Sequence, residues 1–164
     1  MKCGNWAYIR ELFVDDKITF ERREHNGATD IVNCMLNYGY AILYVRVWQA
    51  LLSAKLNPYD SVIHVSQSNK PTFVYDVVEL FRSQVVDRIV ISMVQKGVDL
   101  NLNKGVLSDN TRRLLAKNVM ERLNRYEKYR GVEMKMQQII VKQAMEIASY
   151  FKDGVLYRPY IAKW

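Results

Sequence analysis

The sequence predicts an all-α, multi-helix domain that ends in an irregular tail. Three observations carry this prediction. Long stretches place apolar residues at helical spacing. Pro and Gly, three and seven among 164 residues, fall mostly between those stretches. Residues that cap helices stand where the stretches begin. With 49% of its residues apolar, the chain is long enough to bury a sizeable core without disulfide staples, and one domain of ordinary size accounts for it.

Taken in order, residues 3–13 read as the end of one helix, and "VDDKITFERREHNGATD" (14–30) is polar and irregular. Thr29 or Asp30 caps a long helix over "IVNCMLNYGYAILYVRVWQALLSAK" (31–55). The segment 56–72 holds Pro58 and Pro71 and reads as a loop. A second long helix covers 72–95, with Phe73, Val77, Leu80, Phe81, Val85 and Ile89 as its core face. "KGVDLNLNKGVLSDN" (96–110) alternates weakly around two glycines, as a loop or small hairpin would. Ser108 or Asp109 caps a third helix that runs to Arg130, Gly131 breaks it, and a fourth helix follows from Val132 to Lys152. The tail "DGVLYRPYIAKW" is aromatic and is expected to pack back on the body.

The formal charge is +7 and the isoelectric point near 9.4, which favours a polyanionic partner such as nucleic acid. Cys3 and Cys34 form no CxxC pair, so neither a zinc ribbon nor a redox motif is indicated. No segment is apolar enough to span a bilayer, and "MKCGNWAYIR" lacks a signal-peptide core, so the expected location is the cytoplasm with no membrane partner.

On the second helix, Asp76 and Glu79 stand three residues apart and share a face, with Asp87 three turns beyond Asp76. This is either a solvated acidic edge with pairs such as Glu79–Arg82, or part of a cation site. His64 lies in the preceding loop, where a turn at 69–71 could return its imidazole over the helix start. One imidazole with two carboxylates suits Mn²⁺ or Mg²⁺, and Zn²⁺ less well. Alternatively His64 packs or faces solvent, and the residues alone leave both possibilities open. His25 reads as a surface residue. No phosphate-binding glycine loop, G-x-S-x-G or H-E-x-x-H occurs.

"RRLLAKNVMERLNRYEKYR" (112–130) carries seven basic residues against two Glu. Leu114, Leu115, Val119 and Leu123 can face the core, while Arg112, Arg113, Lys117, Arg122, Arg125, Lys128 and Arg130 project elsewhere. The surface is either a solvated helix with i,i+4 pairs or a track for phosphates, to which Tyr126 and Tyr129 add rings that can stack on unpaired bases.

The order "LNYGYAILY", Leu-Asn-Pro-Tyr and Ile-His in the loop, "KPTFVYDVVELFRSQVVDR" and "YRPYIAKW" resembles the C-terminal helical domain of the CRISPR adaptation integrase, CRISPR-associated protein one. The resemblance runs from about Trp6 to the end. It implies a metal-dependent DNA endonuclease and integrase that inserts spacers into CRISPR arrays by transesterification. It implies that His64 and Glu79 bind Mg²⁺ or Mn²⁺, that Asp76 lies beside them as ligand or orienting partner, and that Tyr44 stands near the active site, where it could touch DNA. As a purely structural alternative, Tyr44 packs in the core. The implied partners are double-stranded DNA with single-stranded 3′ ends, CRISPR repeat DNA, a dimer of CRISPR-associated protein two, and a second copy of the full-length protein. The block "LNRYEKYRG" resembles members fused to a reverse transcriptase.

Asn5-Trp6 matches a Tyr-Trp-like pair that follows the family's remaining metal-binding Glu, which would place that Glu before residue 1; Glu11, Glu21 and Glu24 come too late. Residues 1–164 are therefore expected to form the C-terminal catalytic domain without the family's N-terminal β-rich domain, with an impaired site in isolation. Two other readings compete: a non-catalytic helical nucleic-acid-binding module, and a mainly structural domain for the partner dimer.

Overall fold

In a computed structural model, residues 20–25, 27–60 and 70–161 are described. The expected helix over residues 3–13, Cys3, His64 and the last three residues of the tail lie outside them. The described chain is helical, as its periodicity predicts. Helix α1 (Ile31–Ser53) runs through the middle, and Asp30 is its cap: the carboxylate accepts the Asn33 N–H at 2.8 Å. Val32, Met35, Leu36, Leu43, Val47, Ala50 and Leu51 are buried along it, while Tyr40, Tyr44 and Trp48 pack on its other side. A helix apolar on most of its circumference is packed on several sides, and only Ala41, Val45, Gln49, Leu52 and Ser53 of α1 are exposed. Helices α2 (Thr72–Glu79), α4 (Asp109–Asn124) and α5 (Met136–Asp153), and a π-helical turn (Ser83–Asp87), all pack against it.

The second long helix is not continuous. Between α2 and α3 (Arg88–Gln95) lies that π-helical turn, and Gln84, Val85, Val86 and Asp87 are all buried there. Four consecutive buried residues span most of a helical turn, and they are buried because this segment packs against both α1 and α4. Asp87 is consequently not on a solvated stripe with Asp76 but under α1. Gly39 of α1 makes room for this approach, because a Cβ there would stand 2.5 Å from Val86 Cγ1.

The segment 96–110 contains a minimal hairpin, β1 (Leu102–Asn103) and β2 (Val106–Leu107), turned by Lys104 and Gly105 with φ of 52° and 80°. Ser108 then caps α4 by accepting the Thr111 N–H at 3.3 Å.

The third helix stops at Asn124 rather than Arg130. Arg125 is extended, and β3 (Tyr126–Tyr129) pairs antiparallel with β4 (Val132–Lys135) around Arg130-Gly131, both at positive φ. The fourth helix, α5, accordingly begins at Met136 and not Val132, and Gly154 ends it in the left-handed conformation. "YEKY" and "VEMK" are short enough to fit either a helix or a ribbon, and the Arg-Gly turn decides for the ribbon.

The tail folds back, as its aromatic content predicts. The buried Gln143 side chain of α5 accepts the Tyr157 hydroxyl and the Tyr160 N–H, each at 2.7 Å, and donates to the Tyr129 hydroxyl at 2.8 Å. Tyr160 stacks on Phe81 with ring centroids 5.4 Å apart.

Candidate functional site

Helix α2 is tied to the segment that follows α1: the Phe73 N–H donates to the Pro58 carbonyl at 3.1 Å and the Thr72 hydroxyl to the Tyr59 carbonyl at 3.4 Å. Its apolar face, Phe73, Val74, Val77 and Val78, is buried. At its edge Asp76 is 7% exposed, whereas the Glu79 side chain, one turn on, is 51% exposed. Glu79 Oε1 accepts from Arg82 Nη1 at 2.6 Å, so the expected i,i+3 pair is present. Asp76 and Glu79 thus offer carboxylate oxygens from one helical face, a donor chemistry that fits Mg²⁺ or Mn²⁺. They are two donors; among the described residues no group of three His, Cys, Asp or Glu side chains is placed to hold an ion, and His64 lies outside those residues.

Tyr44 neighbours this helix. Its ring lies 5.5 Å from Tyr75 of α2 and 6.0 Å from Trp48, and Trp48 meets Tyr59 edge-on at 5.8 Å. Burial, then the nearby Tyr75 and Tyr59 hydroxyls, push the Tyr44 hydroxyl above the usual phenol range. Tyr44 is therefore part of an aromatic strip with two half-exposed ends, Tyr59 and Tyr75, rather than a lone core ring.

Behind Glu79 stands a group in which Tyr40 and Arg23 carry no signal in the local sequence pattern. Asp87 is 8% exposed, and Tyr40 donates its hydroxyl to Asp87 Oδ1 at 2.5 Å. The Arg82 and Arg23 guanidiniums lie 5.5 and 5.3 Å from the Tyr40 ring centroid. Arg23 is fixed by Asn33 Oδ1 at 2.9 Å and by Asn37 Oδ1. Burial holds both the Asp87 carboxyl and the Tyr40 hydroxyl above their ordinary values. His25 is exposed, as expected; burial and then the two guanidiniums lower its basicity.

The basic residues separate into two kinds. Arg112, Arg113, Lys117, Arg125, Lys128 and Arg130 are exposed. Arg112 pairs with Asp109, Lys117 with Glu121 at 3.9 Å, and Arg130 forks onto both Glu146 oxygens at 2.9 and 2.8 Å. Arg122 does not project to solvent: it is 8% exposed, donates from Nε to the Gln84 carbonyl at 2.8 Å, and meets Glu127 at 2.5 Å. It joins α4 to the π turn. Tyr129 is buried with its hydroxyl on Glu146, whereas Tyr126 is 61% exposed and carries the Lys135 ammonium 5.8 Å from its ring centroid.

A family model described as CRISPR associated protein Cas1 matches residues 4–121. The chain belongs to the Cas1 family. It is 38% identical over 143 residues to a CRISPR-associated endonuclease Cas1 of Archaeoglobus fulgidus, an alignment that covers 84% of this chain and 41% of that protein. A solved casposase bound to its integration product superposes with a TM-score of 0.83 at 26% identity, over 96% of this chain and 50% of the casposase. The fold also recurs in a Cas6-RT-Cas1–Cas2 complex, with a TM-score of 0.79 at 21% identity over 93% of this chain and 18% of that one. The chain spans about half the length of the curated Cas1 relatives it matches.

Proposed function

We propose that this chain supplies the catalytic helical part of a metal-dependent DNA integrase of CRISPR adaptation, which joins the 3′ end of a captured DNA to repeat DNA by transesterification. The observation that carries the reading is the pair Asp76 and Glu79, held one turn apart on a short helix tied to the loop end before it, in a chain of the Cas1 family. Asp76, Glu79 and His64 would hold Mg²⁺ or Mn²⁺. When bound, the ion would supply a Lewis acid for the attacking and leaving oxygens. The chain's own residues bind and orient. The exposed arginines and lysines of α4 and of the β3–β4 ribbon take phosphates of the duplex. The Tyr44–Tyr75 strip lies beside the acids where an unpaired 3′ end would pass. A similar casposase has been solved with an integration product, which supports DNA as substrate. The names in a structurally similar Cas6-RT-Cas1–Cas2 complex support Cas2 and a linked reverse transcriptase as partners of the complete protein; in this reading Cas2 acts as a dimer and the complete protein as a homodimer in the cytoplasm.

The test is strand transfer by the complete protein with a 3′-overhang DNA and a repeat-bearing plasmid. His64→Ala and Glu79→Gln are each expected to lower integration by about two orders of magnitude or more, since a metal site contributes several kcal/mol to such a reaction. Wild-type rates in both variants, with DNA binding retained, would leave only a nucleic-acid-binding module.

A further inference from the structure

Three elements meet behind Glu79. The π turn directs Asp87 inward, Gly39 lets α1 come close enough for Tyr40 to bind it, and the segment before α1 brings Arg23. A continuous series results: the Asp87 carboxylate, the Tyr40 hydroxyl and ring, the Arg82 guanidinium on that ring, and the Glu79 carboxylate. Core stability does not demand this arrangement, because an apolar pair of similar volume fills such a place at least as well as a buried charge. The last contact is informative. Arg82 touches Glu79 through one nitrogen and one oxygen, Nη1 and Oε1. An unrestrained guanidinium prefers to fork onto both oxygens of a carboxylate, as Arg130 does on Glu146. Arg82 is restrained by the Tyr40 ring, which is itself fixed by Asp87. Glu79 Oε2 is thereby not taken up by Arg82.

We propose that Tyr40 and Asp87 are positioning residues: they hold Arg82 on the tyrosine face so that it pairs with one Glu79 oxygen and leaves the other for a divalent cation. The inference rests on the reading of Glu79 as a cation ligand. If Arg82 were freed from its seat it would compete with the cation for both oxygens. If Arg82 were absent, the state of Tyr40 would no longer matter.

The experiment titrates Mn²⁺ into the complete protein and follows binding by electron paramagnetic resonance, alongside thermal melting, for Tyr40→Phe, Asp87→Asn, Arg82→Ala, Tyr40→Phe with Arg82→Ala, and Glu79→Gln. Tyr40→Phe and Asp87→Asn are each expected to weaken Mn²⁺ binding about 3- to 10-fold, the consequence of losing roughly 1 kcal/mol of fixed geometry. Arg82→Ala is expected to bind at least as tightly as wild type, and adding Tyr40→Phe to it to change nothing further. A structural role alone would lower the melting temperature in both backgrounds without this dependence on Arg82. Unchanged Mn²⁺ affinity in Tyr40→Phe and Asp87→Asn, or equal losses with and without Arg82, overturns the proposal. Should a core variant fail to fold, weaker binding in Arg82→Ala alone overturns it as well. Glu79→Gln separates the two claims. If it binds Mn²⁺ as wild type does, the ligand reading falls and the positioning role with it. If it loses Mn²⁺ while Tyr40→Phe does not, only the positioning role falls.

Discussion

Arg122 and Arg113 both read as basic residues that project from one helix, and they should behave in opposite ways. Arg122 is buried between α4 and the π turn, with a backbone carbonyl and the Glu127 carboxylate as partners. Truncation to Ala leaves both without their donor and is expected to cost about 2–3 kcal/mol, read as a shifted denaturation midpoint. Arg113 is exposed. Its truncation should leave stability within about 0.5 kcal/mol and reduce the slope of log affinity for DNA against log salt by about one. Tyr157 gives a pH prediction. Burial, then the nearby Glu146 charge, push its hydroxyl up to about 12. The folded state therefore holds this proton more tightly than the unfolded chain, whose tyrosine titrates near 10. The stability it contributes is complete below pH ~10 and is lost as pH rises toward 12. Melting temperatures measured from pH 9 to 12 should fall less steeply in Tyr157→Phe than in wild type.

At the scale of elements, the close approach of α1 and the π turn decides where Asp87, Tyr40 and Arg82 sit. Gly39 makes that approach possible, because a Cβ at 2.5 Å from Val86 Cγ1 cannot be accommodated in place. Gly39→Ala is expected to lose about 1–3 kcal/mol despite a better helix propensity, and Val86→Ala in the same background to recover part of that loss. Chemical denaturation of the two variants measures it. The β3–β4 ribbon has a different basis. Its turn residues take positive φ, at 50° for Arg130 and 88° for Gly131, and the bidentate Arg130–Glu146 pair holds the turn onto α5. Basic side chains that would have spiralled around a longer α4 are instead presented on a ribbon, so Lys128 and Arg130 reach a different part of the surface from Arg112 and Lys117.

Across the whole molecule, α4 and the ribbon, with Arg125 between them, together hold eight Lys and Arg against four Asp and Glu, +4 of the formal +7, while Asp76 and Glu79 sit on α2. Among the described residues no helix is long and apolar enough to cross a membrane. The tail closes the molecule by placing Tyr160 on Phe81 and two donors on Gln143. Gln143 makes these bonds at full burial, so Gln143→Ala should loosen the tail and lower stability by about 2 kcal/mol.

Local pattern by itself determined the helical class, the two helix starts to within one residue (Thr29 or Asp30, Ser108 or Asp109), the core face of α2, and the i,i+3 neighbours Asp76, Glu79 and Arg82, because each depends on residues within a turn or two of one another. Tertiary structure alone decided that Asp87 turns inward, that Tyr40 meets it across 47 positions, that Arg122 is a buried strut, and that residues 126–135 form a ribbon. Those outcomes depend on which helix lies opposite. A period of 3.6 says which residues share a face, but not which face finds a partner, nor where two helices will enclose one segment from both sides.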